Sequence, residues 1–237
     1  MAVNSFQKDL DNENVVIKGL ALRGLCSLRF DGMVAYTAPF VDDKLNDPHA
    51  YIRKVAVNCC IKLFYLDRSF IEEYDIVTKL YTLLKDSKQM VVLSAINALH
   101  EIMNEEGGMT VNYNIIIYLL NRIKEFDEFG QSIVLDLVYK IEPESEEQMY
   151  GIMNITAELL KISSSCVILA ISKIFLKYIE FEPQLVDPVM DKIKKPLISL
   201  LSQGEKEVRF TVISHIRNII HRGAKSYFQE DYKVFYL

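Results

Sequence analysis

Metal ligands and thiol nucleophiles are sparse in this chain, which has four cysteines and four histidines among 237 residues. Cys59 and Cys60 are adjacent, which invites a redox or metal reading. They fall, however, on the steps that Gly24-Leu25 and Ala98-Leu99 take in the sister repeats set out below. Free cysteine packs as a small hydrophobe, so both are expected in the core. His215 shares the step of Gly24, Ala98 and Ile174. His221 lies six residues on, which turns the two rings to different helix faces and spoils a shared zinc site. No phosphate-cradling glycine motif, nucleophile elbow or HExxH run is present. Gly107-Gly108 follows a helical stretch and fits a C-terminal stop. No catalytic, cofactor-binding or metal residue is therefore named, no cofactor is expected, and an enzyme is not the expectation.

Two charge clusters remain. Glu142, Glu144, Glu146 and Glu147 around Pro143 read as a solvated turn. Lys192, Lys194, Lys195, Arg209, Arg217 and Arg222, with Lys225 beyond, form a basic set that could meet an acidic peptide or anionic lipid headgroups. The whole chain carries 27 basic and 32 acidic residues, a net of −5. A general nucleic-acid binder needs the opposite balance to release counterions from phosphates, so no nucleic-acid partner is expected.

The elements that must position these residues emerge from one recurring pattern. A branched apolar residue is followed by apolar or small residues three, four, seven, eight and eleven positions later. The copies read Ile17, Leu20, Ala21, Gly24, Leu25, Leu28; Ile52, Val55, Ala56, Cys59, Cys60, Leu63; and Val91, Ser94, Ala95, Ala98, Leu99, Ile102. Later copies start at Val167 and Val208, with a degenerate one from Gln131 to Tyr139. Successive starts are about 35 to 41 residues apart, the range of repeats that pair two helices. Such spacing puts the residues on one helix face, and the small members let a neighbouring helix come close.

A polar turn precedes five of these seams: Asp11 to Asn14, Asn46 to His49, Lys85 to Lys88, Ser163 to Ser165 and Ser202 to Glu205. These are N-cap and breaker residues. Upstream helices are expected over Met33 to Leu45, Phe70 to Leu84, Asn112 to Phe126, Met149 to Leu160 and Val189 to Leu201. Pro39 and Pro196 should kink or restart theirs. No stretch reads as a strand. A basic residue follows the first seam position at Lys18, Arg53 and Arg209, where Val92 and Ile168 stand in other copies. These cations are read either as a structural ladder between adjacent turns or as a cationic inner face for an acidic partner.

The expected fold is all-α, a solenoid of about six helix pairs running through residues 1–237 as a single segment. Its work is then to bind and position other proteins. Solenoids need polar capping repeats, yet the chain opens on Val3, Phe6 and Leu10 and stops in Tyr232, Val234, Phe235, Tyr236 and Leu237. A piece of a longer trunk is therefore expected, with Met1-Ala2 supplied for expression. Cysteine spacing and the lack of a signal-peptide succession point to a reducing cytosolic compartment. The longest apolar run, about Ile115 to Leu120, is far short of the roughly 18 to 20 residues that cross a bilayer, so any membrane contact should be peripheral.

The residues filling the repeats resemble the trunk of the beta-adaptins, the beta-type large subunits of vesicle-coat adaptor complexes. The resemblance covers essentially the whole chain. It is strongest at Leu20 to Leu28-Arg29, Tyr51-Ile52-Arg53-Lys54-Val55-Ala56, Met90-Val91-Val92 to Glu101-Ile102, and Phe129-Gly130-Gln131 to Leu135-Asp136. Phe129 stands where the family usually has tryptophan. Cys26-Ser27-Leu28-Arg29, Glu106-Gly107-Gly108, Asn121-Arg122, Ser145-Glu146-Glu147 and Lys161 to Ser165 are most similar to the branch that serves the fourth, clathrin-independent complex. The resemblance implies a right-handed α-solenoid of HEAT or armadillo type that holds a second large adaptin and the medium (mu) and small (sigma) subunits. For the complex it implies an Arf-type GTPase, cargo tails, and peripheral residence on trans-Golgi network or endosomal membranes. Alternatives are a beta-type subunit of coatomer or of a clathrin-associated adaptor, and a free-standing scaffold of the importin or phosphatase-regulatory kind. Importin-type grooves use repeated tryptophan, which this chain lacks altogether. Phosphatase scaffolds keep a more regular arginine ladder.

Overall fold

Short polar turns that cap apolar-striped segments make helices, and the computed structural model is built from them throughout the residues it describes, 2–30, 32–161, 164–221 and 225–229. No strand occurs among the described residues. The chain divides into two compact units, 1–110 and 111–237.

The first unit holds α1 (Ala2–Asp9), α2 (Val15–Leu25), α3 (Met33–Lys44), α4 (Ala50–Leu66), α5 (Ser69–Glu73), α6 (Ile76–Leu83) and α7 (Gln89–Ile102). The Asn14 side chain opens α2 by accepting from the N–H of Val16 at 2.9 Å. Asp47 Oδ1 and Asp86 Oδ1 shape the entries to α4 and α7, accepting from the N–H groups of His49 and Lys88, each at 2.8 Å. Each such bond satisfies a donor that the helix start leaves without an internal partner. The seam helices α2, α4 and α7 pack on one another, and α3 and α6 pack against α4 and α7. Ile52, Ala56, Cys59, Cys60 and Leu63 are buried in α4, as are Val91, Ala95, Ala98 and Leu99 in α7. Close approach is possible at Gly19 because it lacks a Cβ, which would stand 2.4 Å from Tyr51 Cε1.

Two expectations need correction here. The helix expected over Phe70 to Leu84 is two helices, α5 and α6. Asp75, with φ 48° and ψ 46°, separates them. Aspartate is among the few residues that tolerate this left-handed conformation, which breaks the helical hydrogen-bond ladder while leaving Phe70 and Ile76 both buried. The first seam is also only half right: Ala21 and Leu25 are buried, but Ile17 and Leu20 are 40% and 55% exposed. In α4 the seventh step faces backward, with Cys59 Sγ 3.9 Å from the Leu22 carbonyl of α2. In α2 the backward neighbour is the short α1, whose Phe6 reaches Gly24 and leaves Ile17 and Leu20 open. The glycine stop is as expected: Gly107 and Gly108 have φ of 95° and 92°, and the Gly108 N–H donates to the Met103 carbonyl at 2.9 Å.

The second unit holds α8 (Tyr113–Asn121), α9 (Glu128–Lys140), α10 (Glu146–Ala157), α11 (Ser165–Phe181), α12 (Val186–Gln203) and α13 (Lys206–His221). Asn112, Asp127 and Ser145 cap α8, α9 and α10 through the N–H groups of Ile115, Gly130 and Gln148 at 2.9, 2.7 and 3.3 Å. The expected helices over Asn112 to Phe126 and Met149 to Leu160 each end in a separate 3-10 turn, Ile123–Glu125 and Leu159–Lys161. The seam residues Val167, Ile171, Ile174, Phe175 and Tyr178 are fully buried, as are Val134, Leu135 and Val138. Pro39 and Pro196 lie inside α3 and α12 and end neither helix. Six seam helices among the described residues, α2, α4, α7, α9, α11 and α13, match the six copies of the pattern.

Candidate functional site

The cations that follow the first seam position are structural rungs in the first unit. Lys18 reaches Asp47 at 3.3 Å, where the carboxylate is 4% exposed. Arg53 grips Asp86 with two bonds of 2.7 and 2.9 Å and donates from Nη1 to the carbonyls of Asp47 and Pro48 at 2.8 and 3.0 Å. The same aspartates cap the helix entries, so each rung ties a seam helix to the turn of the next repeat. Such planar, two-pronged pairing is specific to arginine. It also holds the Arg53 guanidinium above its ordinary pKa. Both acids stand five residues before the next seam, a regularity that the reading of these turns as caps passed over. Arg209 donates to the Gly204 carbonyl at 2.9 Å, at the entry to its own helix.

Other long side chains bridge neighbouring repeats at one-repeat separation. Lys62 donates to Ser27 Oγ at 2.7 Å, Lys79 pairs with Asp42, and Arg68 pairs with Glu105. In the second unit Lys124 meets Glu158 at 3.1 Å, and Lys177 donates to the carbonyls of Tyr139 and Ile141 at 2.7 and 3.0 Å. Arg68 and Glu105 are largely exposed, so their bond adds little to stability.

Three of the four cysteines sit as packing, while Cys166 is exposed. Cys26, Cys59 and Cys60 are buried. A hydrogen bond with Cys59 and then burial raise the Cys26 thiol above its ordinary pKa, and burial raises Cys60. Such thiols are not nucleophilic. No group of three metal-ligating side chains occurs among the described residues. His215 Nδ1 is buried with no hydrogen-bond partner among them, and burial, then Lys173, lower its pKa below 6.5. Glu142, Glu144, Glu146 and Glu147 are exposed, as a solvated turn requires.

The basic set separates by environment. Lys192 and Lys195 line one open groove of about 890 Å³ in the second unit. Lys194 is half-buried on α12, and Arg217 is exposed on α13 with Nε 3.4 Å from His221 Nε2. Arg222, and the side chain of Lys225, lie outside the described residues, as does the terminal run Tyr232 to Leu237. The groove is floored by Leu160, Ile168, Pro196 and Leu200. Lys161, at the end of the 3-10 turn after α10, joins Lys192 and Lys195 at its edge, with Asp191 the one acid among the lining residues. Lys161 was absent from the candidate set because 31 positions separate it from Lys192.

The whole chain, residues 1–237, matches the family described as the adaptin N terminal region. It is 34% identical over 236 residues to the mouse "AP-4 complex subunit beta-1", covering 100% of this chain and 32% of that protein. The Arabidopsis thaliana "Beta-adaptin-like protein A" is 34% identical over 247 residues, 100% of this chain and 29% of the relative. The mouse "AP-1 complex subunit beta-1" is 29% identical over 243 residues, 100% of this chain and 26% of the relative. The chain thus spans about a third or less of these relatives. Among solved structures, a designed armadillo repeat protein superposes with a TM-score of 0.53 at 16% identity, covering 92% of this chain and 99% of that one. A chain of a homology model of the full-length AP-3 complex in an intermediate open conformation gives 0.54 at 18% identity, over 92% of this chain and 44% of that one. These likenesses establish the fold as an armadillo or HEAT type α-solenoid.

Proposed function

The chain belongs to the adaptin N-terminal family, and from that premise we propose that it is part of the trunk of a beta-type large subunit in a heterotetrameric adaptor complex. Its role there is non-enzymatic: the helix pairs hold partner subunits in place while the complex sorts cargo into vesicles. The observation that carries this reading is the match of the entire chain to beta subunits of adaptor complexes, with 34% identity to the mouse AP-4 subunit against 29% to the mouse AP-1 subunit. The fold supports it. Repeated helix pairs offer extended faces to partners, which suits a scaffold.

On this reading residues 1–237 are one segment of a longer trunk. The partners are a second large adaptin and the medium (mu) and small (sigma) subunits, with an Arf-type GTPase and cargo tails engaged through the complex. The site of action is the cytoplasmic face of the trans-Golgi network or endosomes, reached by peripheral contact. No helix among the described residues is long and apolar enough to cross a membrane, which is compatible with that placement. Mass spectrometry of what co-purifies with the tagged full-length protein from its native cells tests the proposal. One large, one medium and one small adaptor subunit are expected in stoichiometric amounts, without clathrin. Clathrin in the same preparation would move the subunit to a clathrin-associated complex. Nuclear cargo or a phosphatase catalytic subunit in place of the adaptor subunits would refute it.

A further inference from the structure

We propose that the groove edged by Lys161, Lys192 and Lys195 is a docking site for an acidic peptide segment that carries at least one large apolar side chain. The lining holds three ammonium groups and one carboxylate, in a chain whose net charge is −5. A positive pocket on a negative protein selects anions by its own local field. Its floor is apolar, and about 890 Å³ accommodates several side chains. The cations stand at the edge of this floor, so the matching ligand has carboxylates flanking a leucine, isoleucine or phenylalanine.

Geometry favours a peptide over a membrane. The surface is concave, whereas a bilayer presents headgroups to a flat or projecting face. Lys192 Nζ lies 3.4 Å from Asn154 Oδ1, which uses one of its three protons and leaves the ammonium able to serve a ligand carboxylate. Lys161 and Lys195 are exposed. The proposal does not depend on the coat reading, because it rests on the chemistry of the groove alone.

Phage-displayed random dodecapeptides selected on the whole chain test it, in parallel with Lys192→Glu/Lys195→Glu and with Ser199→Trp, which fills the groove without changing charge. Peptides that combine carboxylates with leucine, isoleucine or phenylalanine are expected on the wild type. Synthetic versions should bind both variants about tenfold or more weakly. Lys161→Gln and Lys195→Gln, both at exposed positions, carry the comparison should either larger change alter the thermal melt. Selected sequences without acidic bias, or equal binding to all variants, overturn the proposal. Enrichment of no acidic peptide, together with lysine-dependent sedimentation on phosphatidylserine vesicles, also overturns it and assigns the groove to lipid headgroups.

Discussion

Ala56 and Ala95 occupy the same step of successive seams, and both are fully buried. Neither has room or a partner for a carboxylate. Ala56→Asp and Ala95→Asp should each cost about 4 kcal/mol or more, enough to unfold the repeats around them, whereas Lys195→Ala at an exposed position should move stability by about 0.5 kcal/mol or less. Chemical denaturation of the three variants checks the register, and equal midpoints would show the seam to be misplaced. Residue-scale reading from sequence worked where a residue's environment depends on its own helix face. The adjacent cysteines are core for that reason. It failed at Ile17 and Leu20, because no pattern within α2 tells how long its backward neighbour is.

Between elements, Arg53 is the informative side chain. It joins α4 to the turn before α7 through Asp86, and both charges are largely withdrawn from solvent. Removing the guanidinium takes away two charge-assisted bonds to a largely buried carboxylate, so Arg53→Ala should cost about 2 kcal/mol or more. Arg53→Lys should recover only part of that, because an ammonium cannot make the forked contact. A paired denaturation series reads both values, and a loss under about 0.5 kcal/mol would mean that solvent replaces the rung. The sequence pattern placed a cation at this step and left open whether it joined turns or faced a partner. The acceptor decided it, and the acceptor lies 33 residues away. The break at Asp75 belongs to this scale too. The apolar spacing of Phe70 to Leu84 continues across it, and only the backbone geometry reveals two helices.

For the whole molecule, the dependence of stability on pH can be given a sign. His215 is held neutral by burial and by Lys173, so its folded pKa lies below 6.5. Below about pH 6.5 the unfolded chain takes up a proton that the folded chain refuses. Stability is therefore complete above that value and is lost as pH falls below it, until the folded pKa is reached. Glu105, Glu125 and Glu158 have lowered pKa values through Arg68, Arg122 and Lys124, so any contribution they make is present above the ordinary glutamate pKa and is lost as pH falls from there through the folded values. Melting temperature should thus decline from pH 7 to 5.5, and His215→Leu should flatten that slope. An unchanged slope would place the responsible proton elsewhere.

Taken by itself, the sequence determined the helix-pair repeat, the all-α class and the buried face of most seam helices, because angular position on a helix depends only on residue spacing. Its resemblance to beta-adaptins pointed to the family that the whole-chain match then established. Tertiary structure alone decided which charges meet. Lys161 stands with Lys192 and Lys195, and Arg53 meets Asp86, because packing register between helices selects one arrangement from many that the same stripes allow.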